Sequence, residues 1–194
     1  MVDEILNIGV LGAGSWGTTL ANMLAKNGYR VTLWAYEPDL VERMAEQRIN
    51  DLYLSGIELS PELFFTNSLE EAVEEKQLIL SVVPSQVLRG VLEKTIPFIQ
   101  KDAIIVSASK GIEVNTLKLV SQIFEEFLTE EQYQNFVILS GPSFAREVAK
   151  DMPTAVVVAS NNLKIAKRVQ AVFSSEYFRV YTNDDVIGVE LCGA

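Results

Sequence analysis

Short unbroken runs of aliphatic residues alternate along the chain with longer stretches whose apolar positions recur every three or four residues. The runs have the length and Val/Ile/Leu character of strands buried on both faces, and the longer stretches have the period of helices packed on one side. Strands are predicted at residues 5–11, 30–35, 63–66, 78–83, 103–107, 136–140, 155–159 and 178–181. Helices are predicted at 15–27, closed by Gly28, and at 38–48, with Pro38 in the first turn. Others are predicted at 87–99, bending or ending at Pro97, at 116–128 and at 163–173. A short helix carries Leu69, Ala72 and Val73 behind a cap at Asn67 or Ser68, and another begins at Asp184. Residues 49–61 show neither period and read as an irregular loop. The alternation of strand and helix predicts an α/β fold with a mostly parallel, doubly wound sheet.

Composition narrows the classes. Of 194 residues, 48% are hydrophobic and 22% charged, which is enough apolar material for a packed core and excludes a disordered chain. No apolar run is long enough to span a membrane, and the first four residues carry two acids and no base where a signal peptide is basic, so a cytoplasmic protein is expected. A net charge of −10 argues against nucleic acid, whose phosphates need a basic surface. It does not forbid a small phosphate, because backbone dipoles act at short range. There is one cysteine, Cys192, so no internal disulfide forms, and the residue reads as a small side chain packed near a helix start or as a reactive thiol. The chain has no histidine, which removes Ser-His and Cys-His catalysis, and no metal site is expected. Lysine is left as the main candidate for a proton donor.

Gly12, Gly14 and Gly17 form a G-x-G-x-x-G loop that directly follows the first strand and opens the first helix. Gly12 permits the tight turn, Gly14 lets the backbone approach a pyrophosphate, and Gly17 lets the helix pack close to the sheet. The helix N-terminus then offers its free N–H groups to the anion. Glu37 lies 20 residues past Gly17, at the end of the second strand, where a carboxylate can hold a ribose 2′-hydroxyl. This arrangement predicts a Rossmann-type domain that binds NAD or NADP. Glu37 leans towards NADH, since a carboxylate repels a 2′-phosphate, but it also reads as a solvated acid before Pro38. Tyr36 is a candidate for packing against the adenine. Trp16 is either a wall of the cofactor site or simple packing beneath the loop. Three more loops follow strands at the same end of the sheet: Val83-Pro84-Ser85-Gln86, Ser107 to Glu113, and Ser140 to Ala145. Lys110 is their one cation before the turn at Gly111 and suits a phosphate or a carbonyl oxygen, against the alternative of an ordinary surface lysine. Ser143 either caps the next helix or touches a ligand.

These tags, read in order, carry a resemblance. They run from Gly12 to Ala21, through Asn50-Asp51-Leu52-Tyr53-Leu54-Ser55-Gly56-Ile57, Val83 to Gln86, Ser109 to Glu113 and Gly141 to Ala145, to Gly188-Val189-Glu190-Leu191. Together they resemble the NAD(P)-dependent sn-glycerol-3-phosphate dehydrogenases of the bacterial type, over the whole chain. The resemblance implies a cytoplasmic enzyme that interconverts dihydroxyacetone phosphate and sn-glycerol 3-phosphate for phospholipid synthesis. It implies cofactor contacts at Ser15, Trp16, Tyr36, Lys110 and Ala145, and substrate contacts at Lys110, Gly141 and Ser143. It further implies that residues 1–184 form the cofactor domain, that 185–194 open the first helix of an all-helical substrate domain absent here, and that the family's catalytic lysine falls just beyond Ala194. No catalytic residue is then expected in this chain, and a homodimer is an assembly open to the complete protein. Departures from the family are Ser55 and Ser60 near the Tyr-Leu-x-Gly-Ile loop, where proline is common, and Gln86, where a histidine is common, so no proton shuttle is assigned there. Two other readings stay open: a non-catalytic nucleotide-binding module, and a related dehydrogenase acting on a hydroxy acid or a sugar phosphate.

Overall fold

The structure, a computed structural model, describes residues 7–193. The acidic start at 1–4, residues 5 and 6 of the first predicted strand, and Ala194 lie outside the described residues. Eight strands make one sheet: β1 (Asn7–Leu11), β2 (Arg30–Trp34), β3 (Leu63–Thr66), β4 (Leu78–Ser81), β5 (Ile104–Ser107), β6 (Phe136–Ser140), β7 (Thr154–Ala159) and β8 (Phe178–Asn183). Their spatial order is β3-β2-β1-β4-β5-β6-β7-β8. Neighbours run parallel from β3 to β6, β7 is antiparallel to β6, and β8 is parallel to β7. The last two strands therefore point opposite to the first six.

The helices are α1 (Ser15–Lys26), α2 (Pro38–Gln47), α3 (Leu69–Val73), α4 (Ser85–Thr95), α5 (Val120–Phe127), α6 (Glu130–Tyr133), α7 (Ala145–Val148), α8 (Leu163–Phe173) and α9 (Val186–Cys192). They cover both faces of the sheet, and the two-residue period of the strands divides the core between them. Ile8, Val10, Leu78, Leu80, Ile104, Val106, Val137 and Leu139 meet Leu20, Leu24, Met44 and Phe173 on one side. Leu11, Ile79, Ile105, Phe136 and Ile138 meet Leu88, Leu92, Ile123 and Phe124 on the other. Continuous apolar strands were the signature of this two-sided burial. Phe124 shows its quality: it is 1% exposed and its ring lies 4.8 Å from that of Phe136. Burying a side chain of that size contributes about 2–3 kcal/mol.

Several local expectations are met. Pro38 stands in the first turn of α2, Ser68 caps α3 through the amide of Glu71, and α4 ends at Thr95, before a single 3-10 turn at Ile96–Phe98 that contains Pro97. The helix beginning near Asp184 is α9, whose capping Asp185 carboxylate accepts from the amide of Gly188 at 2.8 Å.

Others are corrected. The helix predicted over 116–128 spans only Val120–Phe127. Residues 112–119 instead fold back on themselves, with Ile112 bridging Leu119 and the Glu113 amide donating to the Lys118 carbonyl at 2.9 Å. Polar bonding from Glu113, described below, outcompetes the first helical turn. α6 was not expected, because four residues are too few to show a period, and α7 was expected only as the helix that Ser143 would cap. Cys192 is exposed and ends α9, so it does not pack near a helix start. Ser143 does not cap α7: Phe144 holds the capping position, and the Ser143 hydroxyl donates to the Gly141 carbonyl at 3.4 Å.

Candidate functional site

The glycine loop leaves β1 at the carboxyl end of the parallel strands. Gly12 turns with φ of +110°, and its amide donates to the Trp34 carbonyl at 3.1 Å. A Cβ on Gly17 would lie 1.9 Å from the Gly12 carbonyl oxygen, so α1 sits directly on the turn. A Cβ on Gly14 would meet nothing within 4 Å. The space in front of Gly14 is open, as a ligand-facing glycine requires. Gly14 caps α1 without a side chain, and the first turn holds no acidic residue, so its N–H groups and positive dipole end are left for an anion.

Inside the loop, carbonyl oxygens are tied down. The Ala13 carbonyl accepts from Thr18 Oγ1 at 3.1 Å and from Asn50 Nδ2 at 2.9 Å, and Asn50 Nδ2 also reaches Thr18 Oγ1 at 2.8 Å. Asn50 is fully buried, and its Oδ1 accepts from the Tyr53 amide at 2.9 Å. The stretch 49–61 is thus no slack loop; Ile49 bridges Glu58, and Asn22 on α1 binds both the Glu58 carbonyl and the Ser60 amide. Asn50 is a site residue that periodicity missed. Its sequence signal was its place at the head of the Asn50 to Ile57 tag, which carried the resemblance but no role for the side chain.

Four loops meet at an open cleft of about 450 Å³. Gly14, Ser15, Trp16 and Gly17 form one wall; Val83, Pro84 and Lys110 face them, with Ser143, Phe144 and Ala145 at the rim. Trp16 lines the cleft, and its ring packs 6.5 Å from that of Phe178. Ala145 is tied to α1 by Thr19 Oγ1, which donates to its carbonyl at 3.2 Å. Lys110 is exposed and has no hydrogen-bond or ion-pair partner among the described residues. It also borders a second hollow, of about 560 Å³, lined by Ser140, Gly141, Pro142, Val189 and Cys192. The lysine therefore stands between two adjoining spaces. Gly12 lies beneath the turn. Tyr36 and Glu37 do not line the cleft; they sit beside it, past the end of β2. Tyr36 is 80% exposed, edge-on to Trp34. Glu37 occupies the cap position of α2, and its Oε1 accepts from the Tyr53 hydroxyl at 2.8 Å. That bond, with burial and the nearby charge, pushes the Tyr53 hydroxyl above its ordinary pKa, so it stays a donor.

A charged cluster braces the segment that follows Lys110. Arg89 on α4 grips both oxygens of Glu113, at 3.1 and 3.0 Å, and reaches Glu126 on α5 at 2.6 Å. Thr116 also bonds Glu113, and Lys118 pairs with Glu126. Gln86 donates to the Ile112 carbonyl at 2.8 Å and accepts from the Val114 amide at 3.0 Å, so it fastens this segment to α4. The Arg89 hydrogen bonds lower the pKa of Glu113 and hold Glu126 down at about 2. A carboxylate whose folded pKa is depressed adds stability above its unfolded value and loses it as pH falls through the folded value. Acid is therefore expected to weaken the chain between about pH 5 and about pH 2. Glu126→Gln is expected to flatten thermal unfolding against pH in that window. An unchanged slope in the variant would show that the pair carries no acid sensitivity.

No helix among the described residues is long and apolar enough to cross a membrane, and none of their Cys, Asp and Glu side chains group as a metal site.

Comparison with known proteins meets this geometry. A family model described as NAD-dependent glycerol-3-phosphate dehydrogenase N-terminus matches residues 7–166. The glycerol-3-phosphate dehydrogenase (NAD(P)+) of Citrifermentans bemidjiense is 59% identical over 187 residues, which are 96% of this chain and 56% of that protein. The protein of the same name from a Geobacter strain is 58% identical over the same length, again 56% of its own. The crystal structure of glycerol-3-phosphate dehydrogenase from Coxiella burnetii superposes with a TM-score of 0.89 at 38% identity, covering 97% of this chain and 57% of that one. The chain spans a little over half the length of the curated relatives it matches. The family model places the likeness on their N-terminal part, and the chain belongs to the NAD-dependent glycerol-3-phosphate dehydrogenase family.

Proposed function

We propose that this chain is the NAD(P)-binding part of an enzyme that interconverts dihydroxyacetone phosphate and sn-glycerol 3-phosphate. The observation that carries the reading is Lys110. It is a cation without a partner among the described residues, held between the cleft over the glycine loop and the hollow beside Gly141. The residues present fit a dinucleotide: the space before Gly14 is open and the α1 N-terminus is uncapped. Gly14, Ser15 and Gly17 would hold the pyrophosphate on backbone N–H groups, over the turn that Gly12 makes with its own amide bonded to Trp34. Trp16 and Ala145 would wall the cofactor, Tyr36 would pack on the adenine, and Glu37 would take the ribose. A bound nicotinamide supplies hydride transfer to the ketone carbon. Lys110, Gly141 and Ser143 would receive the substrate, with the ammonium of Lys110 against its phosphate or carbonyl oxygen.

The test is a fluorescence titration of the chain with NADH, followed by dihydroxyacetone phosphate on the NADH-saturated chain. Saturable changes are expected at both steps. Lys110→Ala is expected to raise the dihydroxyacetone phosphate needed by tenfold or more, since a charge-assisted hydrogen bond contributes roughly 1.5–3 kcal/mol. No response to NADH overturns the reading. A response to a 2-keto acid in place of the phosphate would move the substrate to the hydroxy-acid class.

A further inference from the structure

We infer that Tyr53 is a specificity-determining residue, which fixes the Glu37 carboxylate so that the site selects the cofactor lacking a 2′-phosphate. The inference rests on the cofactor reading above and adds a residue to it. An acid at the end of β2 discriminates poorly if it is free to turn into solvent when a phosphate arrives. Glu37 is not free. Its Oε1 accepts from the Tyr53 hydroxyl at 2.8 Å, while Oε2 has no hydrogen-bond partner among the described residues. A carboxylate has acceptor sites on both oxygens, so one can be anchored while the other accepts a ribose hydroxyl.

Tyr53 can anchor because its own backbone is held. Its amide donates to buried Asn50 Oδ1 at 2.9 Å, and the next amide, of fully buried Leu54, donates to the Asn50 carbonyl at 3.0 Å. Asp51 in the same turn pairs with Arg43 of α2 at 3.1 Å, on the helix that Glu37 caps. Asn50 also fastens the Ala13 carbonyl in the glycine loop. One turn, residues 50–53, thus connects the pyrophosphate end of the site to its ribose end. With Tyr53 in place, a 2′-hydroxyl meets an ordered acceptor and a 2′-phosphate meets a negative charge held towards it by that bond.

The experiment measures Kd for NADH and for NADPH by fluorescence titration of the full chain, for the parent, Tyr53→Phe, Glu37→Gln and the double variant. The parent is expected to bind NADH more tightly. Tyr53→Phe is expected to shrink the ratio of Kd for NADPH to Kd for NADH by about threefold to tenfold, the worth of one hydrogen bond, with an unchanged thermal midpoint. Glu37→Gln is expected to shrink it at least as far, and the double variant to match Glu37→Gln alone, because Tyr53 acts through the carboxylate. A parent that favours NADPH, a ratio unmoved by Tyr53→Phe, or an equal further drop in the Glu37→Gln background each overturns the inference while leaving the cofactor reading intact. Failure of the parent to bind either dinucleotide overturns both.

Discussion

Gly17→Ala is expected to lower the thermal midpoint of the chain by roughly 10 °C, whereas Gly14→Ala leaves the midpoint unchanged and abolishes tight NADH binding. The two substitutions add the same methyl group three residues apart. At Gly17 it would lie 1.9 Å from the Gly12 carbonyl oxygen and 3.1 Å from its carbon, so backbone must move. No rotamer relieves such a clash, and α1 has to lift from a turn that is itself bonded to β2 through the Trp34 carbonyl. Overpacking against fixed backbone costs about 3 kcal/mol or more. At Gly14 the methyl group meets no protein atom within 4 Å, and the backbone there has φ of −64°, which alanine adopts freely. The methyl group would occupy the space in which a pyrophosphate approaches. Differential scanning calorimetry and NADH titration separate the cases. A Gly17→Ala variant as stable as the parent, or a Gly14→Ala variant that binds NADH normally, contradicts the assignment of roles within the loop.

Asn50→Ala is expected to cost about 2–4 kcal/mol and to weaken NADH binding together with stability. The side chain is fully buried and makes three hydrogen bonds, to the Ala13 carbonyl, the Thr18 hydroxyl and the Tyr53 amide. Truncation leaves the Tyr53 amide without its acceptor and opens a void under the glycine loop. Asn50→Asp is expected to be no better, because its carboxylate oxygen would face the Ala13 carbonyl where an amide donor stood. Urea unfolding at neutral pH measures the loss. An Asn50→Ala variant within about 0.5 kcal/mol of the parent would mean that the loop holds its shape unaided.

How much of this was legible in the sequence depends on what each feature leaves there. Strands buried on both faces leave continuous aliphatic runs, and the eight runs correspond to the eight strands. The glycine loop leaves a spaced pattern, and its three glycines have the three environments that the pattern requires. Strand direction leaves no trace in periodicity, so the reversal at β7 was not foreseen. Nor does periodicity show when side-chain bonding will take residues out of a helix, as Glu113 and Thr116 do ahead of α5. Ser143 had the right chemistry for a cap, but the capping position falls one residue later, at Phe144, and the helix starts at Ala145. Asn50 and Tyr53 bind partners 37 and 16 residues away in sequence, and such contacts exist only once α1, α2 and the intervening turn have assembled.

The reversal at β7 has a geometric result that resembles parity. In a sheet of one direction, each strand delivers the chain to the ligand end and each helix carries it back. After one antiparallel step the rule inverts: β7 and β8 run away from the ligand end, and α9 must return towards it. Packed on β6 and β7, α9 brings Val189 and Cys192 up to the hollow beside Lys110. Had β7 been parallel to β6, the same helix would finish at the far edge of the sheet, roughly 20 Å away along a six-residue strand. A single odd step in the ladder thus lets a ninth helix, as well as the loops, build the wall around the lysine.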